Sequence, residues 1–261
     1  MKELSQLSLK DKKYIIFDMD GTLIDSIGIW NITGQKLIEE YGGRYINLDD
    51  IQSERDEFLN SNQDSDIYLA YCEYLIKKYD FTIRDAVELL KIMWNKSGEI
   101  LEKELDFKPY AVELILKLKS LGFTVVLATM TTQIQLDIYS KKNKKMLKQM
   151  NIEEVFDLIT SKEDVQNKKP NPEIYNKIMR QYNAKPEECL VFEDSYTGVL
   201  ASNNAGIEVV NIYDKYADID RNKINGITDY SIKSYKEFID FVNYLYPSTS
   251  DELDDLDEIK L

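Results

Sequence analysis

Asp18-Met19-Asp20-Gly21-Thr22 follows directly on the apolar run Tyr14-Ile15-Ile16-Phe17. Residues i and i+2 at a strand end point the same way, so Asp18 and Asp20 can address one small site. Gly21 lets the chain turn sharply behind them. Two carboxylates so close repel, and a divalent cation is the usual remedy. A carboxylate can attack phosphorus and form an aspartyl-phosphate, and a second can protonate the leaving oxygen and later activate water. The same residues also suit a plain turn after a strand. The chain contains no histidine, which excludes Ser-His-Asp and Cys-His chemistry and argues against a typical zinc site.

Three further stations offer matching chemistry. Thr129 ends the apolar run Val125-Val126-Leu127-Ala128. Its hydroxyl and the backbone N–H groups of Met130 and Thr131 can hold phosphoryl oxygens, or Thr129, Thr131 and Thr132 can cap the next helix. In Lys168-Lys169-Pro170-Asn171-Pro172, a lysine fixed by prolines before a helix can reach a phosphate as a point charge, or be solvated. Glu193-Asp194-Ser195 follows Cys189-Leu190-Val191-Phe192. Carboxylates there fit a hard cation, Asp194 directly and Glu193 directly or through water, or else open the next helix as an Asx-type turn. All four stations fall at the carboxyl ends of predicted parallel strands, where open α/β sheets bind ligands.

The elements that must position these groups are short apolar runs, Tyr14–Phe17, Thr124–Ala128, Val155–Ile159, Leu190–Phe192 and Val209–Ile212, read as buried parallel strands. Helical patterns alternate with the later ones: Ala111–Leu121, a long lysine-rich Gln133–Met150, Pro172–Tyr182 and Gly198–Ala205. The alternation predicts an α/β fold with a doubly wound, mostly parallel sheet, a Rossmann-like core. The interval 27–106 contains no convincing strand and reads as amphipathic helices, clearest over Trp30–Tyr41, Asp66–Tyr79 and Thr82–Leu105. The expected division is therefore a core of residues 1–26 and 107–247, an inserted all-helical domain of residues 27–106, and an acidic, flexible tail of residues 248–261. An insertion right after the carboxylate loop is naturally a lid, or else a structural insertion. Within it, Trp30, Arg55, Tyr68, Tyr71 and Trp94 can line a pocket or pack the helices. Lys141–Lys148 reads as a solvated helix face.

Composition narrows the partners. A formal charge of −14 argues against nucleic acid and against an acidic membrane surface. Cys72 and Cys189 form no CxxC pair, and Met1–Asp11 lacks an apolar core of signal-peptide type, so reduced thiols in a cytoplasmic protein are expected. No stretch approaches the length of a membrane span. A monomer acting on a small molecule is the simplest expectation.

In this order and context the motifs resemble the haloacid dehalogenase-like hydrolase superfamily, and most closely its phosphatase and β-phosphoglucomutase-like branch. Phe17–Ser26 resembles the first motif nearly residue for residue, Thr129 the second, Lys169-Pro170-Asn171-Pro172-Glu173-Ile174-Tyr175 the third, and Val191–Val199 with Ala205-Gly206 the fourth. The resemblance covers roughly residues 12–214. It implies Asp18 as nucleophile and Asp20 as general acid/base that also binds metal through its backbone carbonyl. It implies Thr129, Met130 and Lys169 around the phosphoryl group, and Asp18, Asp20, Asp194 and Glu193 around Mg2+. Residues 27–106 would be the helical cap. The implied activity is a magnesium-dependent phosphatase for a small phosphorylated metabolite, working through an aspartyl-phosphate. Dehalogenation is disfavoured, because dehalogenases lack the aspartate supplied here by Asp20. The alternative is a β-phosphoglucomutase-like sugar phosphate mutase. Its first cap helix carries a histidine where Trp30 stands here, and phosphatases of the branch share the pattern Asp25-Ser26 followed by an apolar stretch ending in Trp.

Overall fold

The computed structural model describes residues 1–62 and 66–247, so the expected acidic tail, 248–261, lies outside the described residues. The strands are β1 Tyr14–Phe17, β2 Thr124–Ala128, β3 Leu158–Thr160, β4 Cys189–Glu193, β5 Glu208–Ile212 and β6 Tyr230–Ile232. The helices, in chain order, are α1 Ile27–Gly42, α2 Leu48–Ser61, α3 Ile67–Tyr79, α4 Ala86–Lys103, α5 Ala111–Ser120, α6 Gln133–Asp137, α7 Lys144–Leu147, α8 Ile152–Val155, α9 Glu173–Tyr182, α10 Tyr196–Asn204, α11 Arg221–Ile227 and α12 Tyr235–Leu245. Among the described residues no helix is long and apolar enough to cross a membrane.

The chain divides into two compact units. The first comprises Met1–Leu23, Phe107–Thr132 and the described chain from Glu153 onward. Its six strands are all parallel, in the order β3-β2-β1-β4-β5-β6. Central strands covered on both faces are built mainly of apolar side chains; β4 is buried along its whole length, with Glu193 at its end the one charged residue. On one face Ile16, Val126, Val191 and Val209 pack with Ile174, Tyr175 and Ile178 of α9, Val199 and Ala201 of α10, and Ile224 of α11. On the other, Phe17 stacks on Phe192 with ring centroids 4.6 Å apart, and Phe192 meets Phe238 of α12 at 4.8 Å. The register Tyr14↔Thr124 and Tyr14↔Cys189 brings the ends of β1, β2 and β4 level. The doubly wound α/β architecture matches the sequence reading.

Two boundaries in this unit differ from expectation. The run Val155–Ile159 begins as helix α8, and β3 starts only at Leu158. Asp157 fixes that start, its N–H donating to Val125 O and its carboxylate accepting from Val125 N–H. Strand β6 was not expected. It has three residues with a partly exposed serine at its centre, too short and too polar to stand out as an apolar run.

The second unit contains Ile24–Asp106 together with Gln133–Ile152. Its core is Leu37, Ile38, Ile51, Tyr71, Cys72, Leu75, Tyr79, Phe81, Leu89 and Met93. Side chains of Asn47, Asp66 and Asp85 cap α2, α3 and α4, supplying acceptors for otherwise orphaned N–H groups. The Gln133–Met150 pattern predicts one long helix, and the structure corrects it to α6, a π-helical turn Ile138–Lys142 and α7. The expected division places residues 133–152 with 107–247, whereas here they group with Ile24–Asp106. Fully buried Asn143 breaks the helix: its Oδ1 accepts from Lys145 and Met146 N–H, while its Nδ2 donates to Leu101 O at 2.8 Å and Leu105 O at 2.9 Å. Leu101 lies in the last turn of α4 and Leu105 just beyond its end, so Asn143 ties this segment to the close of α4.

Candidate active site

Asp18 leaves β1 with its N–H on Phe192 O, placing it beside the end of β4. Gly21 turns the chain at φ +81°, and a Cβ there would overlap the Asp194 carboxylate. Only glycine meets both demands. The Thr22 hydroxyl, fully buried, donates to Asp194 Oδ1 at 2.8 Å. Loop β1 and loop β4 are thus packed carboxylate against glycine.

Lys169 joins them. Its ammonium donates to Asp18 Oδ1 at 2.7 Å, to Glu193 Oε1 at 2.5 Å and to Ala128 O at 3.0 Å. Tyr175, one turn into α9, adds a hydrogen bond to Glu193 Oε1 at 3.1 Å. Lys168 is exposed, so of the two lysines only Lys169 reaches the site. Ligand oxygens of Asp18, Glu193 and Asp194 all lie within 4.8 Å of one another, and all three residues are buried. Three buried carboxylates around one ammonium leave an excess of negative charge that a low-dielectric site tolerates poorly.

That excess shows in the acidities. Burial pushes the Asp18 carboxyl up to about 7, with Lys169 opposing and Glu193 and Asp20 reinforcing. Asp194 is raised well above the carboxylate range by burial, then by Glu193, Asp18 and Asp214. Burial disfavours the Lys169 ammonium, yet Asp18 and Glu193 hold its pKa well above the usual value.

The donor set suits a hard divalent cation. It is all carboxylate oxygen, buried and convergent. Among the described residues no protein donor engages Asp18 Oδ2 or Asp194 Oδ2, whereas Glu193 already accepts from Lys169, Tyr175 and Ser195. Asp18 and Asp194 therefore offer open oxygens, and Glu193 is better placed to act through water. The Asp20 side chain stands outside this cluster. It accepts from the Thr131 hydroxyl.

Thr129 lies at the end of β2, buried, with its N–H on Thr160 O. Its hydroxyl accepts from Thr131 N–H at 3.0 Å and lies 2.8 Å from the Thr131 hydroxyl. It does not cap α6, which starts only at Gln133. Thr131 N–H, expected to face a phosphate, is thus taken by Thr129. The cap of α10 is Ser195, whose hydroxyl accepts from Gly198 N–H at 3.1 Å, so Glu193 and Asp194 are released from that task.

Sequence reading missed Asn211 and the side-chain roles of Thr22, Thr131 and Tyr175. Only Asn211 carried a signal, a lone amide inside the apolar strand Glu208–Ile212. In the helical unit, Trp30 meets Trp94 edge-on at 5.4 Å and Tyr68 at 6.2 Å. Trp30, Arg55, Tyr68 and Tyr71 also line a cavity of about 220 Å³, so these side chains both pack and border open space.

The chain resembles known proteins in sequence and in fold. The family model for haloacid dehalogenase-like hydrolases matches residues 15–212. A phosphorylated carbohydrates phosphatase of Thermotoga maritima is 29 % identical over 195 residues, 74 % of this chain and 82 % of its own. A glyceraldehyde 3-phosphate phosphatase of Pyrococcus furiosus is 25 % identical over 239 residues, 88 % of each chain. Among solved structures, a family hydrolase of Deinococcus radiodurans R1 with bound phosphate and sodium superposes with a TM-score of 0.67 at 23 % identity. It covers 90 % of this chain and 96 % of that one.

Proposed function

The chain belongs to the haloacid dehalogenase-like hydrolases and is a phosphatase of that family, and we propose that it dephosphorylates a small phosphorylated metabolite with Mg2+ and an aspartyl-phosphate on Asp18. The observation that carries this reading is the Lys169 ammonium held between Asp18 Oδ1 and Glu193 Oε1, beside the open oxygen of Asp194. Asp18 and Asp194 would hold the cation, with Glu193 reaching it through water and Asp20 through its backbone carbonyl. Bound magnesium would offset negative charge and orient the phosphoryl group.

The chain's own residues supply the rest. Asp18 attacks phosphorus, the ester P–O bond breaks, and Asp20 gives its proton to the leaving oxygen. Asp20 then takes a proton from water, which attacks phosphorus and breaks the bond to Asp18, releasing inorganic phosphate. Thr131 holds the Asp20 carboxylate between these tasks. Lys169 and Thr129 stabilise phosphoryl oxygens as charge builds on them.

The test is phosphate release from a panel of sugar, polyol and nucleoside phosphates, with and without Mg2+, for the wild type and Asp18→Asn. Release that needs Mg2+ and disappears in Asp18→Asn is expected. Activity unchanged by that substitution would remove Asp18 as nucleophile.

A further inference from the structure

The backbone of Glu193 and Asp194 is held by a polar network that the reaction as described does not use. Asn211 of β5 is fully buried, in a strand whose other buried residues are Val209, Val210 and Ile212. A β-branched apolar residue would suit that position better, since a buried amide costs free energy unless its hydrogen bonds are made. They are made, and to specific atoms. Nδ2 donates to Glu193 O at 2.9 Å and to Asp194 O at 3.1 Å. Oδ1 accepts from Arg221 Nη1 at 3.0 Å.

The orientation of the amide admits no alternative. Turning it over would set Oδ1 against two carbonyl oxygens and the NH2 against a guanidinium. Arg221 is itself held, with Nη2 on Asp214 O at 2.7 Å and Nε on Asp218 Oδ1 at 3.2 Å. Asp214 is tied in turn to Lys108 Nζ at 2.6 Å. Lys108 N–H donates to Leu23 O, one residue beyond the Thr22 whose hydroxyl holds Asp194. Asp194 is thus gripped twice: through its carboxylate by Thr22 and through its backbone by Asn211.

We propose that Asn211, oriented by Arg221, is a positioning residue that fixes the Glu193–Asp194 backbone and so aims the Asp194 carboxylate at the cation. The inference rests on the cation reading of the site. Outer partners of metal ligands commonly govern affinity by 10–100-fold, and here the partner acts on the backbone that carries the ligand. Asn211 neither touches the phosphoryl group nor moves a proton.

The test uses Asn211→Leu, which keeps the branched shape without the polar groups, and Arg221→Met, which removes the guanidinium from a side chain 20 % exposed at its site. Mg2+ binding is measured by calorimetry, folding by circular dichroism, and phosphate release as a function of Mg2+. Both folded variants are expected to bind Mg2+ at least about 10-fold more weakly, with kcat recovering to within a few-fold at saturating Mg2+. A folded variant that binds Mg2+ within twofold of wild type overturns the proposal. If Asn211→Leu does not fold, Arg221→Met decides by the same criterion. A wild type that binds no Mg2+ contradicts the cation reading itself, a result distinct from equal binding by wild type and variants.

Discussion

The Lys169 ammonium donates to Asp18 Oδ1 at 2.7 Å with both side chains almost wholly buried. Lysine and nucleophile therefore stand as one ion pair, in a site where the same ammonium also holds Glu193 and, among the described residues, no salt bridge reaches Asp194. Removing one member of a buried pair costs more than the pair contributes, because the remaining charge stays desolvated.

Lys169→Met should accordingly destabilise the metal-free protein by about 3–5 kcal/mol, and should lower phosphate release by at least about 100-fold. Urea unfolding without Mg2+ and a phosphate assay with it measure the two effects. Stability within 1 kcal/mol of wild type would show that the carboxylates do not depend on this ammonium.

The raised carboxyl pKa values make stability depend on pH. Asp18, raised to about 7 chiefly by burial, keeps in the folded state a proton that the unfolded chain loses near pH 4. Between those values the folded protein binds more protons, so this group's contribution to stability falls as pH rises. Asp194 acts in the same direction. A cation relieves the ionised pair, so the thermal shift produced by Mg2+ should be larger at pH 8 than at pH 5.5. A shift independent of pH would contradict the placement of the cation at these two carboxylates.

Gly198 sets two effects against each other. Helix propensity favours alanine over glycine by about 1 kcal/mol, but a Cβ at Gly198 would overlap the Glu193 carboxylate. Glu193 cannot swing aside without leaving Lys169 and Tyr175. The clash should win, and Gly198→Ala should lose about 1–3 kcal/mol of stability together with most of its activity. Thermal melts with a phosphate assay test this, and a stabilised, active variant would refute it.

Asn143 offers a test within the helical unit. Asn143→Ala removes a helix cap and two bonds to buried carbonyls, a loss of about 2–4 kcal/mol. Denaturant unfolding followed by fluorescence of Trp30 and Trp94, both in that unit, measures it. A loss below about 0.5 kcal/mol would mean that Asn143 does not anchor residues 133–152.

What could be read from sequence depended on how local the cause was. β1, β2 and the buried run of β4 were legible because an apolar run bounded by turn residues is a local signal. Asp18, Lys169 and Asp194 were legible because each ends such a run or precedes a helix. Thr22 was not, since its partner Asp194 lies 172 residues away. Tyr175 and Asn211 are likewise defined by partners on other elements, the Glu193 carboxylate and the Glu193 and Asp194 carbonyls. The Gln133–Met150 pattern misled for a related reason. Its periodicity is helical, but Asn143 is bound to carbonyls of a distant helix, and no count of apolar spacing records that.

Two successive displacements at phosphorus, with Asp18 between them, fix the stereochemical course of hydrolysis. An isotopically chiral phosphate monoester is turned over by the wild-type enzyme with Mg2+, and the configuration of the phosphoryl product is determined. Two in-line displacements give net retention, which is the expected result. Net inversion, the outcome of one direct attack by water, would contradict the covalent intermediate.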